Sequence, residues 1–314
     1  VGALPGMRES RRLEGDYLLN ENDILEHRRF DDAVCYGGWC VDMHAPHGLL
    51  DEDKLPSDCN FYEGVYTIPY RSYYSRSIDN LFMAGRDIST SRMGLASTRI
   101  IGCCAIGGEA VGLAAARCIQ HHCLPRELAP FVGEVQQDIL RDGGYLPGFA
   151  NTDADDLART ARFTASSCKA GINPQDVVNG VSRKIGADFN GWQSDGFAPG
   201  GETLTMTFDG EKQVSELRFV FHSDFKYPIR VTMCPNRQVQ QRPGVPAELM
   251  QDYDVELLRG GKVVKTIPVR GNHQRLNVLK FDVTACDQVN LRCLSTNGAP
   301  DATVFEVRAY SEQK

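Results

Sequence analysis

The stretch from Asn80 to Arg117, NLFMAGRDISTSRMGLASTRIIGCCAIGGEAVGLAAAR, constrains the fold of this chain more than any other. Leu81, Phe82, Met83 and Ala84 form a short apolar run that halts at Gly85, the pattern of a buried strand ending in a turn. Arg86, Asp87, Ser89, Thr90, Ser91 and Arg92 follow at once, so the turn offers charged and hydroxyl groups just ahead of helical spacing. From Thr98 onward, Ile101, Ala105, Gly108, Gly112 and Ala115 recur every three or four residues and give the predicted helix a smooth face. Such a face admits close approach by another backbone or by a planar ligand. The same spacing also describes a helix buried on a sheet with no ligand at all.

Beyond this helix the texture of the chain changes. Leu124 to Leu140 is amphipathic, with Leu128, Phe131, Val132, Val135, Ile139 and Leu140 at helical spacing and Pro125 near the start, and RDGGYLPG ends it. Asn151 to Asp156 is polar and acidic, as a linker is. From Phe163 onward, short runs alternate: Leu204, Met206 and Phe208 with Thr203, Thr205 and Thr207, then Leu217, Phe219 and Phe221, then Tyr253, Val255 and Leu257. Leu279, Phe281 and Val283 repeat the pattern, as do Val289, Leu291 and Cys293. Strands without intervening helices predict an antiparallel β-sandwich of jelly-roll type. The expected class is α+β and multi-domain: a first domain over residues 1–145, a linker over 146–162 and a sandwich over 163–314.

Charge and hydropathy narrow the partners. A formal net charge of −7 with no basic patch argues against nucleic acid and against an anionic membrane surface. The Arg8 to Arg12 and His27 to Arg29 clusters are short and interleaved with acids. No uninterrupted apolar run approaches the roughly 20 residues of a bilayer span, and no signal peptide is visible. Eleven cysteines lie scattered from Cys35 to Cys293 without a C-x-x-C pair, which disfavours a dense disulfide scaffold. Cys103 and Cys104 read as buried thiols, whereas Cys35 and Cys40 bracket GGW and either pair or flank a site.

NLFMAGRDIS resembles the C-terminal flavin motif of flavoproteins with two dinucleotide-binding domains. The longer strings YTIPYRSYYSRSIDNLFMAGRDIS and STRIIGCCAIGGEAVGLAAA, with GMRESRRLEGDYLLNENDI and YGGWCVDMHAPHG before them, are similar to the bacterial FAD-dependent oxidoreductase family over residues 2–145. The resemblance implies FAD as cofactor, with Gly85, Arg86, Asp87 and Ser89 near its ribityl and pyrophosphate groups and Met93 and Gly94 at a helix start near the pyrimidine edge. Glu109 stands where the family usually has Gln, which puts an acid in a packed helix. The chain holds no G-x-G-x-x-G between a strand and a helix, and Gly107, Gly108 and Gly112 do not replace it. With Val1 in place of a Met, the sequence reads as a fragment or processed chain. Its dinucleotide-binding half is expected to lie outside it, and the isolated chain is expected to bind little FAD and to be inactive.

Substrate-side residues come from GGWCVDMHAPHG and IPYRS. Asp42 and His44, two apart, share one face of an extended segment, so the carboxylate can orient the imidazole for proton transfer while the flavin accepts hydride. Arg71 is expected to hold an anionic or carbonyl oxygen, and Tyr70 to line the same pocket. Plainer roles are Asp42 as a turn cap, His47 as a surface histidine and Arg71 as a structural ion pair.

The second half resembles galactose-binding-like, discoidin-type domains, on VVNG at Val177 to Gly180, GWQSD around Trp192, LTMTFD, and the closing VFEVRAY. The likeness implies loops at one end that bind sugars or calcium. Trp192 is either a sugar platform or a core plug. Asp188, Asn190 and Asp195 offer oxygen ligands without a D-x-D-x-D-G loop, so no metal site is assigned. Two functional classes stand: an FAD-dependent oxidoreductase acting on a small, carbohydrate-related organic substrate, and a non-catalytic carbohydrate-binding or accessory module on a flavoprotein remnant.

Overall fold

Four tyrosines from one short tract, Tyr66, Tyr70, Tyr73 and Tyr74, are all buried, and each ties a different part of the first unit together. The computed structural model describes residues 11–45, 47, 50–55, 57–227 and 233–311. The beginning of the opening motif, through Ser10, and Pro46 and Gly48 of the central motif lie outside the described residues. The chain divides into two units, residues 1–149 and 150–314.

In the first unit, helix α1 (Glu21–Leu25) starts in a capping box of Asn20 and Asp23. Strand β1 (Ala33–Gly37) pairs antiparallel with β4 (Tyr66–Pro69), and β2 (Val41–His44) pairs with β3 (Ser57–Asn60). Irregular segments add a further layer. Leu13 and Leu19 donate backbone N–H groups to Asp87 and Ser89, while Ser89 donates to Ser72, so residues 13–19, 70–75 and 82–91 lie alongside one another.

Helix α2 (Arg92–Thr98) is capped by Ser91, whose hydroxyl accepts from Gly94 N–H. The 21-residue helix α3 (Ile101–His121) then buries Cys103, Gly107, Ala110, Ala114 and Cys118 against β1 and α4 (Val132–Arg141). At a mean hydropathy of 1.3 it is long and apolar enough to cross a membrane by length and composition alone, a point that the search for uninterrupted apolar runs passes over. Its other face, with Ile101, Ala105, Gly108, Gly112 and Ile119, is exposed. The small residues of α3 therefore divide into two sets with different work. The single amphipathic helix expected over 124–140 is two pieces, a 3-10 turn over Pro125–Phe131 and then α4, because Pro130 has no N–H to continue the ladder. Leu128, Val135, Ile139 and Leu140 still face the core.

The second unit is one seven-stranded antiparallel system in the order β6–β11–β7–β10–β8–β9, with β5 also on β7. Its strands are β5 (Arg162–Ala165), β6 (Trp192–Gln193), β7 (Glu202–Phe221), β8 (Met250–Arg259), β9 (Lys262–Val269), β10 (Leu276–Thr296) and β11 (Thr303–Tyr310). The very long β7 and β10 pair along their length, interrupted by irregularities between Lys280 and Thr284 and between Cys286 and Gln288. Before the break β7 pairs with β5, and after it with β11, so the two strands pass from one layer into the other. Leu204, Met206, Val289 and Leu291 of one layer share a core with Leu217, Phe219 and Val307 of the other. Threonines between them alternate outward, as the sequence pattern requires.

The two sets of helix glycines make opposite predictions. A Cβ on Gly107 would come within 2.7 Å of the buried Tyr73 ring, whereas Gly108 and Gly112 have nothing within 4 Å. Gly107→Ala is expected to lower stability by about 1–3 kcal/mol through overpacking. Gly108→Ala and Gly112→Ala are expected to leave it unchanged or raise it by roughly 0.5–1 kcal/mol through helix propensity. Denaturant unfolding of the three variants checks this, and equal losses in all three would refute it.

Candidate active site

Strand β2 alternates, so Val41 points into the core while Asp42 and His44 share the other face. His44 Nε2 lies 3.6 Å from Asp42 Oδ2, and Arg99 at the end of α2 approaches the same oxygen at 3.2 Å. Arg99 also donates to Asp42 O at 2.9 Å, and Ser57 Oγ–H, across the β2–β3 pair, donates to Asp42 Oδ1. Desolvation alone would raise the Asp42 pKa. The Ser57 hydrogen bond, the His44 charge, the Cys59 thiol and Arg99 outweigh it and hold the carboxyl below its ordinary 3.8.

Beside this group lies a recess lined by Asp42, Met43, His44, Arg92, Leu95, Ala96 and Arg99. It adjoins a wider cleft of about 400 Å³ lined by Met43, His44, Ala45, Lys54, Leu55, Asp58 and Arg92. Lys54 and Arg92 against Asp58 leave that lining net positive before His44 is protonated. Arg92, Arg99, Ser57 and Lys54 escape a reading of the two motifs alone. The seven-residue spacing of Arg92 and Arg99, two helical turns, is the signal that places both on one face.

Arg71 and Tyr70 sit elsewhere. The Arg71 guanidinium meets Asp32 at 2.8 Å and stacks 5.3 Å from the Tyr17 ring, and it lines neither recess. Tyr70 is buried, and its hydroxyl donates to Pro125 O at 2.6 Å.

The expected cofactor residues show uneven hydrogen-bonding capacity. Gly85 takes φ +106°, a conformation that favours glycine, and leads the chain into Asp87. Asp87 Oδ1, Ser89 Oγ and Thr98 Oγ1 are buried without a hydrogen-bond partner. Buried polar atoms are normally satisfied, so three orphans in the segment next to α3 fit a polar ligand that completes them. The first turn of α3 carries no side-chain cap, and Ile101 and Gly102 at its start are exposed. Arg86 is exposed and Met93 partly so. Gly94 has its N–H occupied by Ser91, and a Cβ there would strike Thr90 Oγ1 at 2.3 Å, so its smallness serves packing. Glu109 is on an exposed stretch of α3, where partial desolvation, with Asp142 second, pushes its carboxyl up.

In the second unit Trp192 is fully buried, and its Nε1–H donates to Ser167 O at 2.9 Å, which makes it a core plug and removes it as a sugar platform. Asn190, at φ +56°, spends its side chain on Asn179, Arg183 and Asp188. Among the described residues no group of three or more His, Cys, Asp or Glu is arranged to hold a metal ion. An aromatic and charged cluster that the sequence reading missed follows the end of β7. Phe225 is 54% exposed, with the Arg183 and Arg275 guanidiniums 4.6 and 5.0 Å from its ring centre. Nearby, Arg242 lies 4.0 Å from the Tyr227 ring and bridges Asp224 and Glu248, and burial lowers the His222 pKa. The tract HSDFKY, following an alternating strand, is the signal that marks it.

No curated protein matches the chain. Among solved structures, a fucose binding module of Streptococcus pneumoniae is 13% identical over 50% of this chain and 95% of its own, with a TM-score of 0.37. The lectin domain of lectinolysin complexed with Lewis B antigen is 14% identical over 52% of this chain and 100% of its own, at 0.39. The family 32 CBM from C. perfringens NanJ, in complex with galactose, is 11% identical over 50% and 98%, at 0.36. For the first unit, residues 1–139, with the motifs that carry the cleft and the orphaned polar atoms, match the FAD dependent oxidoreductase family.

Proposed function

We propose that the first unit is the substrate-facing and flavin-contacting part of an FAD-dependent oxidoreductase that takes hydride from a small organic substrate. The observation that carries this reading is the set of buried, unpartnered oxygens of Asp87, Ser89 and Thr98 within the family-matched segment. Asp87 would accept hydrogen bonds from hydroxyl groups of FAD, and the Ser89 and Thr98 hydroxyls would donate to its acceptors. FAD, when bound, supplies the two-electron acceptor.

The chain's own residues supply binding and proton handling. Asp42 fixes the orientation of His44, and the His44 imidazole takes the proton that leaves the substrate as its hydride departs. Lys54 and Arg92 favour a substrate bearing an anionic or strongly polar oxygen. Arg71, tied to Asp32, holds residues 70–75 in place in this scheme, and its effect on turnover is indirect.

For the second unit, the half-exposed Phe225 with two guanidiniums beside its ring supports a carbohydrate-binding role, since the part of the ring open to solvent offers an apolar contact for a sugar and the arginines offer donors to hydroxyls.

Four outcomes test these readings. In any form of the protein that retains FAD, Asp87→Ala should weaken FAD binding at least about tenfold, the scale of a lost hydrogen bond to a charged group; unchanged flavin retention would remove Asp87 from the site. This chain by itself should bind FAD weakly, since it holds no G-x-G-x-x-G turn for the ADP part of the cofactor, and tight stoichiometric flavin would overturn that expectation. His44→Ala should cost on the order of 10²–10⁴ in turnover with flavin absorbance intact, whereas full activity would exclude His44 as the base. For the sandwich, a glycan array on the full chain followed by titration should show binding that Phe225→Ala abolishes; equal binding by the variant would point to another surface.

The Asp42 carboxyl adds a pH dependence. Because its folded pKa is lowered, its stabilising contribution is present above the ordinary 3.8 and is lost as pH falls through the lower folded value. Asp42→Asn should therefore lower stability by a constant amount at neutral and mildly acidic pH, with the gap closing below about pH 4. A gap that widened on acidification would contradict the network.

A further inference from the structure

Cys40 immediately precedes β2 and Cys59 lies on β3, where Asp42 and Cys59 stand opposite each other in register. Their sulfurs are 2.9 Å apart, closer than two unbonded sulfurs ordinarily rest. Closing roughly 0.9 Å would reach the ~2.05 Å of a disulfide. Cys40 is 5% exposed and Cys59 partly exposed, so solvent reaches the pair from one side. Because Cys59 faces Asp42 in register, and its thiol helps hold that carboxyl below its ordinary value, the pair neighbours the Asp42–His44 face of the cleft.

We propose that Cys40 and Cys59 are a thiol oxidation site: they close reversibly into a disulfide that alters the surroundings of Asp42, which stands opposite Cys59 in register. The exposed partner acts first. With glutathione disulfide as the oxidant, the Cys59 thiolate attacks one of its sulfurs, breaks its S–S bond and releases one glutathione thiolate, leaving a mixed disulfide. The Cys40 thiolate then attacks the Cys59 sulfur, forms the Cys40–Cys59 bond and expels the second glutathione. The two protein thiols lose two electrons and two protons, and glutathione disulfide gains them.

The environment separates the two roles. Burial, then the hydrogen bond and charge of Cys59, then Asp42 push Cys40 up to about 12, so in the reduced pair it rests as a thiol. Once Cys59 is in a mixed disulfide it carries no charge, and one of the influences that keep Cys40 protonated is gone. Cys118 and Cys123 also interact with one another, whereas Cys35 and Cys103 are arranged differently. Cys35 Sγ–H donates to Cys103 O and Cys103 Sγ–H to Tyr36 O, so neither faces a second sulfur as closely. In the folded chain Cys40 therefore has Cys59 as its partner and not Cys35, which the sequence reading left as an alternative.

The test is incubation of the full chain with graded ratios of reduced and oxidised glutathione, followed by alkylation and non-reducing peptide mapping. The expected product is a Cys40–Cys59 linked peptide that forms within the monomer and disappears on reduction. Cys40→Ser should instead trap a stable glutathione adduct on Cys59, and Cys59→Ser should abolish the cross-link. Carbon NMR of the Asp42 carboxyl should show its pKa rising toward the ordinary aspartate value in the oxidised chain. Mapping that finds both cysteines fully alkylated at every ratio would overturn the proposal, as would a Cys35–Cys40 bridge. An Asp42 titration that oxidation leaves unmoved would overturn its second half. The readouts do not depend on flavin, so they succeed or fail independently of the oxidoreductase reading.

Discussion

The seat of Tyr73 on Gly107 is the contact on which the first unit depends. The ring approaches α3 so closely that a single Cβ would displace it, and being buried it has no free volume to move into. That contact fixes the distance between α3 and residues 70–75, which in turn hold residues 82–91 through Ser72 and Ser89. Gly37 under Tyr66 repeats the device one strand away, where a Cβ would lie 2.3 Å from the Tyr66 oxygen. Tyrosines are used here as both wedges and fasteners. Tyr66 hydrogen-bonds Ser97, Ser97 donates to Trp39 O, and Tyr74 joins Arg126 on Asp16.

Site geometry follows from those fastenings. Ser97 belongs to α2 and Trp39 lies just ahead of β2, so the Tyr66–Ser97–Trp39 chain sets α2 against β2. Arg92 and Arg99 on α2 thereby reach the Asp42–His44 face, and Ser57 reaches it from β3. The carboxyl of Asp42 accepts from more donors than a turn cap requires, and its lowered pKa records the sum. A carboxylate so held stays charged through neutral pH and can keep an imidazole in one orientation.

Much of this was legible from residue order. The helical spacing within residues 92–117, the alternation of β7 and β10 and the Asp42–His44 pairing follow from periodicities of two and of three to four. Leu81 to Ala84, expected as a buried strand, is instead a half-buried irregular segment with a single bridge from Phe82 to Tyr74, because four apolar residues ahead of a turn do not by themselves supply a pairing partner. Periodicity fails where two outcomes share a pattern. Small residues on α3 read as one smooth face, yet Gly107 packs inward while Gly108 and Gly112 face out, and only the bulk of Tyr73, far away in sequence, separates them. Trp192 after a Gly-rich turn fits a platform and a plug equally, and Ser167 O decides. Arg71 near the motif fits a substrate anchor until Asp32, 39 residues away, is seen to hold it. Cys40 illustrates the same limit, since its nearest cysteine in sequence is not its nearest in space.

The segment from Asn151 to Asp156 shows what polar composition conceals. Its sequence is that of a linker, but in the structure Asn151 and Asp156 are buried, and Asp156 accepts from Ala158 N–H and from Ala309 N–H, 153 residues away. Tyr310 donates to Asp153 at 3.1 Å, so the first residues of the second unit are bound to its last strand. On β11, Val307 and Ala309 pair with Phe219 and Leu217 toward the core, while Glu306, Arg308 and Tyr310 pair with Val220, Arg218 and Glu216 on the other face. Burial raises the Asp156 and Glu306 carboxyls despite their donors and the neighbouring Arg308. Their charges are therefore not what favours the fold; removing them from water opposes it. What Asp156 contributes is direction, because its carboxyl accepts from Ala309 N–H only when the start and end of the unit meet in one register.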